Sequence, residues 1–328
     1  MKNNYSSVNY ILLVHKSPRQ FQRLVRALDA PWVNFFIHVD KKTPIDEFKK
    51  LVPEKDNLHY IEDKNRISCV WGSDLTMCAS MACMRMALEK GTEGHFVLLS
   101  GQDYPLRTPT YIRNYFESHK DYNFMTVYPI PDPAKVSENG GYERLISYAF
   151  DCQNPKDGRM KAKIQPKSLR LKTILGFLRL LRYRRDLLPL AIKLYFKKRA
   201  YPKSLAMHFN EFWCTFNKEA VQKLINVYDK NSEIREYYKY THIPEETAFS
   251  SILLANPEFE KTLMPMCHYI DWTSTKNSFP KTIDESDIPK IKIEMNNKPY
   301  IMFARKFEEN ATVLDLIDDL LLDCKREE

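Results

Sequence analysis

Short apolar runs that stop at polar or charged residues recur along the first 130 residues and alternate with segments of helical period. Tyr10-Ile11-Leu12-Leu13-Val14 is continuously apolar and ends at His15-Lys16, the pattern of a buried strand. Ser17-Pro18 then supplies an N-cap and a first-turn proline for a helix in which Phe21, Leu24, Val25 and Leu28 recur at helical spacing. The run Asn34-Phe35-Phe36-Ile37-His38-Val39 ends at Asp40-Lys41-Lys42 and completes a strand–helix–strand unit. An Asp at such a strand end can accept from a ribose hydroxyl or a base N–H. Phe96-Val97-Leu98-Leu99 stops at Ser100-Gly101-Gln102-Asp103, a turn closed by Tyr104-Pro105. The pattern predicts strands near 9–14, 34–39, 96–99 and 123–128 and helices near 18–29, 74–90 and 109–118, an α/β fold with a sheet of parallel type. Ligands of open α/β sheets bind beyond the carboxyl ends of the strands, so the Ser-Gly-Gln-Asp turn is a candidate site. An Asx-type turn accounts for the same residues equally well.

Composition narrows the chemistry. At 328 residues and 44% hydrophobic content the chain can bury a large core, and one main domain carrying an insertion is expected. There is no G-x-G-x-x-G and no G-x-x-x-x-G-K-[ST], which excludes a dinucleotide cradle and a P-loop. The seven cysteines form no C-x-x-C pair, and their odd number argues against a disulfide framework. The eight histidines lack metal-ligand spacing, so no zinc site is expected. The 74–90 helix is dense in Met77, Cys78, Met81 and Met84, which reads as core packing. No run approaches 18 apolar residues and Met1-Lys2-Asn3-Asn4-Tyr5-Ser6-Ser7 has no apolar stretch, so neither a membrane span nor a secretory signal is expected and a cytoplasmic location follows.

Charge is distributed unevenly. Between Lys156 and Lys203 there are sixteen Lys or Arg and only two acids, Asp157 and Asp186, so the net charge of +8 is local to this stretch. Within it Leu169, Leu171, Ile174, Leu175, Phe177, Leu178, Leu180 and Leu181 alternate with Arg170, Lys172, Arg179 and Arg182, and the cluster Lys197-Lys198-Arg199 follows. Two readings stand side by side: a basic amphipathic helix lying peripherally on an anionic membrane, or a solvated helix packing its apolar face on the enzyme body. Nucleic-acid binding is not expected, because Phe177, Tyr183, Tyr195 and Phe196 form no recognised RNA module.

Thr241-His242-Ile243-Pro244-Glu245-Glu246-Thr247-Ala248-Phe249 marks a helix N-terminus, with proline near the first position and an apolar run through Ile252 and Leu253. From spacing alone, Glu245 and Glu246 complement the helix dipole.

These segments, taken with Val70-Trp71-Gly72, resemble the core-2/I-branching glycosyltransferase family, which also contains the protein O-xylosyltransferases. The resemblance runs in order through Val14-His15-Lys16, Ile37-His38-Val39-Asp40-Lys41, Trp71-Gly72 and Leu99-Ser100-Gly101-Gln102-Asp103-Tyr104-Pro105-Leu106. It continues through Phe212-Trp213-Cys214, Ile243-Pro244-Glu245-Glu246, Tyr269-Ile270-Asp271-Trp272 and Phe303-Ala304-Arg305-Lys306-Phe307. It implies a GT-A-type nucleotide-diphosphosugar transferase fold in one domain. Residues 8–128 would form the nucleotide-binding half, 151–205 a basic helical insertion and 206–328 the acceptor and catalytic half.

The activity implied is inverting transfer of GlcNAc or xylose from a UDP-sugar to a hydroxyl of a glycan acceptor. The absence of an anchor points to a bacterial-type enzyme of surface polysaccharide synthesis, its acceptor lipid-linked at the inner membrane face. The resemblance assigns the catalytic base to Glu246 and the diphosphate contact to Lys306 with Arg305. It places Val14, His15, Asp40 and Asp103 around the donor nucleotide, and Trp213, Glu245 and Trp272 around sugar and acceptor; Glu143 and Arg144 either line the acceptor cleft or form a turn-stabilising ion pair. No D-x-D triplet is present, so no metal cofactor is expected and fixed cations would stabilise the leaving diphosphate. The competing reading is a catalytically inactive carbohydrate-binding relative on the same scaffold. Three departures stand out: Glu245 stands where the family has Asp and leaves that contact open, His268 stands where Arg is common and implies a weaker or pH-dependent cation for the diphosphate, and Asn210-Glu211-Phe212-Trp213 stands where the family has Gly-Ser-Gln-Trp and bears on substrate identity.

Overall fold

A computed structural model describes residues 7–132, 138–153, 160–273, 280–309 and 311–327. The residues 1–6 that carry the reading of the amino terminus lie outside this set, as does Asp157. The strands, in chain order, are β1 Val8–Val14, β2 Val33–Val39, β3 Leu58–Tyr60, β4 His95–Ser100, β5 Asp103–Pro105, β6 Asn123–Phe124 and β7 Val127–Pro129. They continue with β8 Tyr148–Gln153, β9 Met160–Ile164, β10 His208–Asn210, β11 Thr215–Asn217, β12 Leu263–Met264, β13 His268–Ile270 and β14 Phe303–Arg305. Seven of them form the central sheet in the order β12-β6-β11-β4-β1-β2-β3. β1 runs parallel to both β2 and β4, and β2 parallel to β3. This is the mostly parallel α/β sheet that the hydrophobic pattern predicts.

The continuous apolar runs follow from burial on both faces. Tyr10, Leu12 and Val14 of β1, Phe35 and Ile37 of β2, and Val97 and Leu99 of β4 point into one core. That core is shared with Phe21, Leu24, Val25 and Leu28 of the helix Pro18–Leu28 and with Phe303 of β14. The alternate residues Ile11, Phe36, Phe96 and Leu98 point into a second core, against Met77, Met81 and Met84 of the helix Leu75–Glu89 and Phe249 of the helix Glu245–Leu253.

Two expectations are adjusted. Ser17 sits at the helix N-cap in a left-handed conformation and makes no side-chain cap, its carbonyl instead accepting from Phe21 N. The strand expected over 123–128 is broken into β6 and β7, because Met125 N donates to Met264 O and the Thr126 carbonyl accepts from Glu211 N. β7 thus leaves the central sheet and pairs with β10.

The basic stretch is built on a hairpin. β8 and β9 pair antiparallel, and the helices Leu171–Tyr183 and Leu188–Phe196 pack on them through a separate small core of Tyr148, Phe150, Ala162, Ile164, Leu180 and Ala191. No described helix is long and apolar enough to cross a membrane.

Candidate active site

Because β1, β2 and β4 are parallel, their carboxyl ends lie on one edge of the sheet, and they bring His15, Asp40 and the Ser100–Asp103 turn there together. Val14 is buried and its carbonyl accepts from Asp40 N at 2.8 Å, joining two of these ends. The Asp40 carboxylate accepts from Lys42 N at 2.9 Å and Cys69 N at 3.1 Å. The buried Arg66 guanidinium holds the carbonyls of Asp40 and Thr43 at 2.8 and 2.6 Å, so this strand end is rigid. His15 is exposed beside it, its carbonyl accepting from the Thr43 hydroxyl.

Asp103 is fully buried and serves two partners. Its carboxylate accepts from Ser100 N, closing the turn, and from Arg305 Nη1 at 2.7 Å. β14 lies antiparallel to β5 with Arg305 opposite Asp103, so the backbone register itself sets this ion pair. Arg305 Nη1 also donates to Ser100 Oγ at 2.7 Å, and the guanidinium stacks on Trp213, 3.9 Å from the ring centroid. A cation fixed by a carboxylate on one edge and an indole on one face is pre-organised for planar recognition of an anion. Its Nε and Nη2 have no hydrogen-bond partner among the described residues. Lys306 follows at the end of the strand, half-buried.

His268, at the family's Arg position, lies opposite Phe303 in the β13–β14 pairing and is wedged between Trp213 and Phe303. Burial pushes its imidazole down to about 4, so it is neutral at pH 7 and adds no cation beside Arg305, in place of the pH-dependent cation expected there.

β11 runs antiparallel to β4, which places the segment before it at the same edge: Leu98 N donates to Cys214 O. Glu211 and Trp213 therefore face the site. Asn210 ties this segment to the helix Glu245–Leu253, donating to the Glu245 carbonyl at 3.0 Å and accepting from Ser250 Oγ at 2.8 Å. The entry to that helix is fixed by the Trp-Gly pair. Ile243 N donates to the Gly72 carbonyl at 2.9 Å, and a Cβ on Gly72 would stand 2.7 Å from the His242 ring. Gly72 has φ +84°, so glycine answers both the backbone and the space.

Three carboxylates meet at this helix start. Glu246, at the helix's second position and partly exposed, pairs with Arg144, whose guanidinium also lies 5.1 Å from the Phe209 ring centroid. Only Oε2 of Glu246 is taken by the pair; Oε1 has no partner among the described residues. Glu211 is close enough that burial together with the Glu246 charge pushes its carboxyl up to about 7. Sequence reasoning noted Glu211 only within a segment whose change bears on substrate identity; an acid four residues before the strand Thr215–Asn217 carries no motif that would mark it as part of a carboxylate cluster.

Glu245 is turned inward and buried, its Oε2 without a hydrogen bond among the described residues, and burial raises it to about 8. An exposed Glu releases its proton near ~4.3, so this group's stabilisation is complete below that pH and is lost as pH rises through about 8. Glu245→Gln is expected to raise the melting temperature at pH 8.5 by a few degrees, with the gain vanishing toward pH 4. Parallel melting curves with an unchanged pH slope would refute it.

The structure thus gathers Val14, His15, Asp40, Asp103, Arg305 and Lys306 on one side and Arg144, Glu211, Glu245 and Glu246 on the other, with Trp213 between them. Glu143 neighbours Arg144 on the short helix Tyr142–Ile146. Trp272 is exposed after β13 and makes no hydrogen bond or ring contact to either group among the described residues. Among the described residues no cluster of His, Cys, Asp or Glu is placed to hold a metal ion.

Sequence reasoning also misplaced Arg199. Instead of a surface charge in a basic cluster, it is buried between Tyr148 and Tyr237, with its guanidinium 4.9 and 4.3 Å from their ring centroids. It donates to the carbonyls of Ser147, Arg144 and Tyr237 and to Thr241 Oγ1. One side chain therefore links the hairpin, the Arg144 segment and the approach to Glu246.

The family model for the core-2/I-branching enzyme matches residues 8–294. The chain belongs to the core-2/I-branching enzyme family. It is similar to xylosyltransferase 2 of Rattus norvegicus, 24% identical over 335 residues covering 95% of this chain and 33% of that protein. It is likewise similar to xylosyltransferase 1 of Homo sapiens, 22% identical over 340 residues covering 97% of this chain and 31% of that protein. The chain thus spans about a third of the length of these relatives. Among solved structures, the apo structure of WbbM, a bifunctional glycosyltransferase, aligns with a TM-score of 0.33 at 10% identity, over 93% of this chain and 46% of that one, too loose to define a shared fold.

Proposed function

We propose that the chain is an inverting, metal-independent glycosyltransferase that moves a sugar, GlcNAc or xylose, from a UDP-sugar to a hydroxyl of a glycan acceptor. The observation that carries this reading is the pairing of two prepared groups at one sheet edge: Arg305, fixed by Asp103 and Trp213 with N–H groups to spare, and Glu246 with an open oxygen. The segment Glu211-Phe212-Trp213 connects them.

Glu246 takes the proton of the acceptor hydroxyl as its oxygen bonds to the anomeric carbon from the face opposite the nucleotide. The bond from that carbon to the diphosphate oxygen breaks, its electron pair leaves with UDP, and the anomeric configuration inverts. Arg305 and Lys306 stabilise the charge that develops on the diphosphate. Trp213 offers an apolar face to a sugar ring. The xylosyl relatives favour a xylose-sized donor; the replaced Asn210-Glu211-Phe212 segment argues for a pocket of different polarity.

Purified protein is expected to transfer sugar, or to hydrolyse the UDP-sugar slowly, in excess EDTA. Lys306→Ala is expected to weaken UDP binding by about 10-fold or more while leaving uridine binding nearly unchanged, since a charged phosphate contact is lost. Abolition by chelator with recovery on Mn²⁺ would overturn the metal-independent mechanism. Absence of both transfer and hydrolysis with intact UDP binding would favour the inactive carbohydrate-binding alternative.

A further inference from the structure

The helix Leu171–Tyr183 is apolar on two opposite sides. Thr173, Gly176 and Leu180 are buried against the hairpin, the backbone at Gly176 passing so close that a Cβ there would stand 2.4 Å from the Lys163 carbonyl. Leu171, Ile174, Leu175, Leu178 and Leu181, spaced three and four apart, form a continuous stripe on the other side, all exposed, Leu171 by 69% and Leu178 by 55%. Leu169, two residues before the helix, is 85% exposed, and Ile192 and Phe196 of the next helix are exposed as well. Single exposed leucines need no explanation, but a contiguous stripe of this kind marks a surface that something covers.

The charge around the stripe says what. Arg170, Arg182, Arg185, Lys193, Lys197 and Lys198 are all exposed on the same lobe. Asp186, the one acid between residues 160 and 203, is tied to Arg184. A second copy of this chain would bring two such cationic surfaces face to face. A nucleic acid would satisfy the cations and leave the leucines in water.

We propose that this face docks on an anionic lipid bilayer, with the Leu171–Leu181 stripe in the headgroup–acyl boundary and the basic side chains on the phosphates. It lies in the interfacial plane and does not span. This inference does not depend on the sugar chemistry, since lipid binding is read without turnover.

Co-sedimentation with vesicles of phosphatidylglycerol and phosphatidylcholine, or of phosphatidylcholine alone, tests it. Wild-type protein is expected to pellet with the anionic vesicles at low salt, to be released at high salt, and to stay in solution with the neutral ones. Leu171→Gln/Leu178→Gln, both solvent-facing and so compatible with folding, is expected to reduce partitioning by about 10-fold or more. Lys197→Gln/Lys198→Gln is expected to reduce it by about 30-fold. Transfer to a small soluble acceptor should be unchanged in both variants, with circular dichroism as the check on folding. Wild-type protein that ignores anionic vesicles at low salt overturns the proposal. So does a concentration-dependent dimer that the leucine pair abolishes while lipid binding persists, because the stripe is then a contact between copies.

Discussion

Glu246→Gln is expected to lower transfer by about 10²–10⁴-fold while UDP binding, measured by calorimetry, stays at the wild-type level. Glutamine keeps the shape of the side chain and can still accept from Arg144, so the ion-pair geometry that positions residue 246 is largely retained. What disappears is the ability to take a proton from the acceptor hydroxyl, and a sugar hydroxyl is a poor nucleophile without that help. The size of the loss separates Glu246 from its neighbours. Glu245 is buried and protonated at neutral pH, its carboxyl raised to about 8, so it cannot serve as the base there. Near-normal turnover of Glu246→Gln, with an unchanged circular dichroism spectrum, would move the role to Glu211, the remaining acid in the cluster.

The second large effect is expected at Asp103. Removing one member of a buried ion pair leaves the other charge uncompensated, at a typical cost of 3–5 kcal/mol. Arg305 keeps an exposed edge, so Asp103→Ala should fall at the low end, about 3 kcal/mol, read from urea unfolding. The same substitution frees the guanidinium from its stacked position on Trp213, and UDP binding should weaken with it. A loss of stability without any loss of UDP affinity would show that Arg305 does not meet the diphosphate. Asp103→Asn separates charge from shape, since an amide still accepts from Ser100 N and only the ionic part of the pair is lost.

The sequence made the central sheet legible for a physical reason. Strands buried on both faces are continuously apolar, and β1, β2 and β4 end abruptly where the polar edge begins, so both the strands and the site edge are written into one local pattern. The breaks came where partners distant in sequence capture the backbone. Met125 and Thr126 look like strand interior, yet Met264 and Glu211 take their backbone groups and turn the chain away. The same logic separates the two halves of the site. Asp40, Asp103, Arg305 and Glu246 stand out as strand ends or a helix start. Glu211 does not, because its significance depends on Glu246, 35 residues later, lying beside it. The periodicity of residues 169–181 was visible, but apolar residues on both sides of a helix give a pattern that does not say which side is buried.

Arg199 has a bearing on how this segment can be inherited or exchanged. A lobe attached to its host by loops alone can be transplanted between relatives as a cassette. Here Arg199, near the end of the lobe, is sewn into the body: its guanidinium is shared among Ser147, Arg144, Tyr237 and Thr241, and stacks between Tyr148 and Tyr237. Position 199 therefore has to travel together with those residues. A chimera that swaps the lobe and leaves Tyr237 and Thr241 unmatched strands a buried cation one short segment away from Glu246, and disturbs the placement of that carboxylate along with the graft.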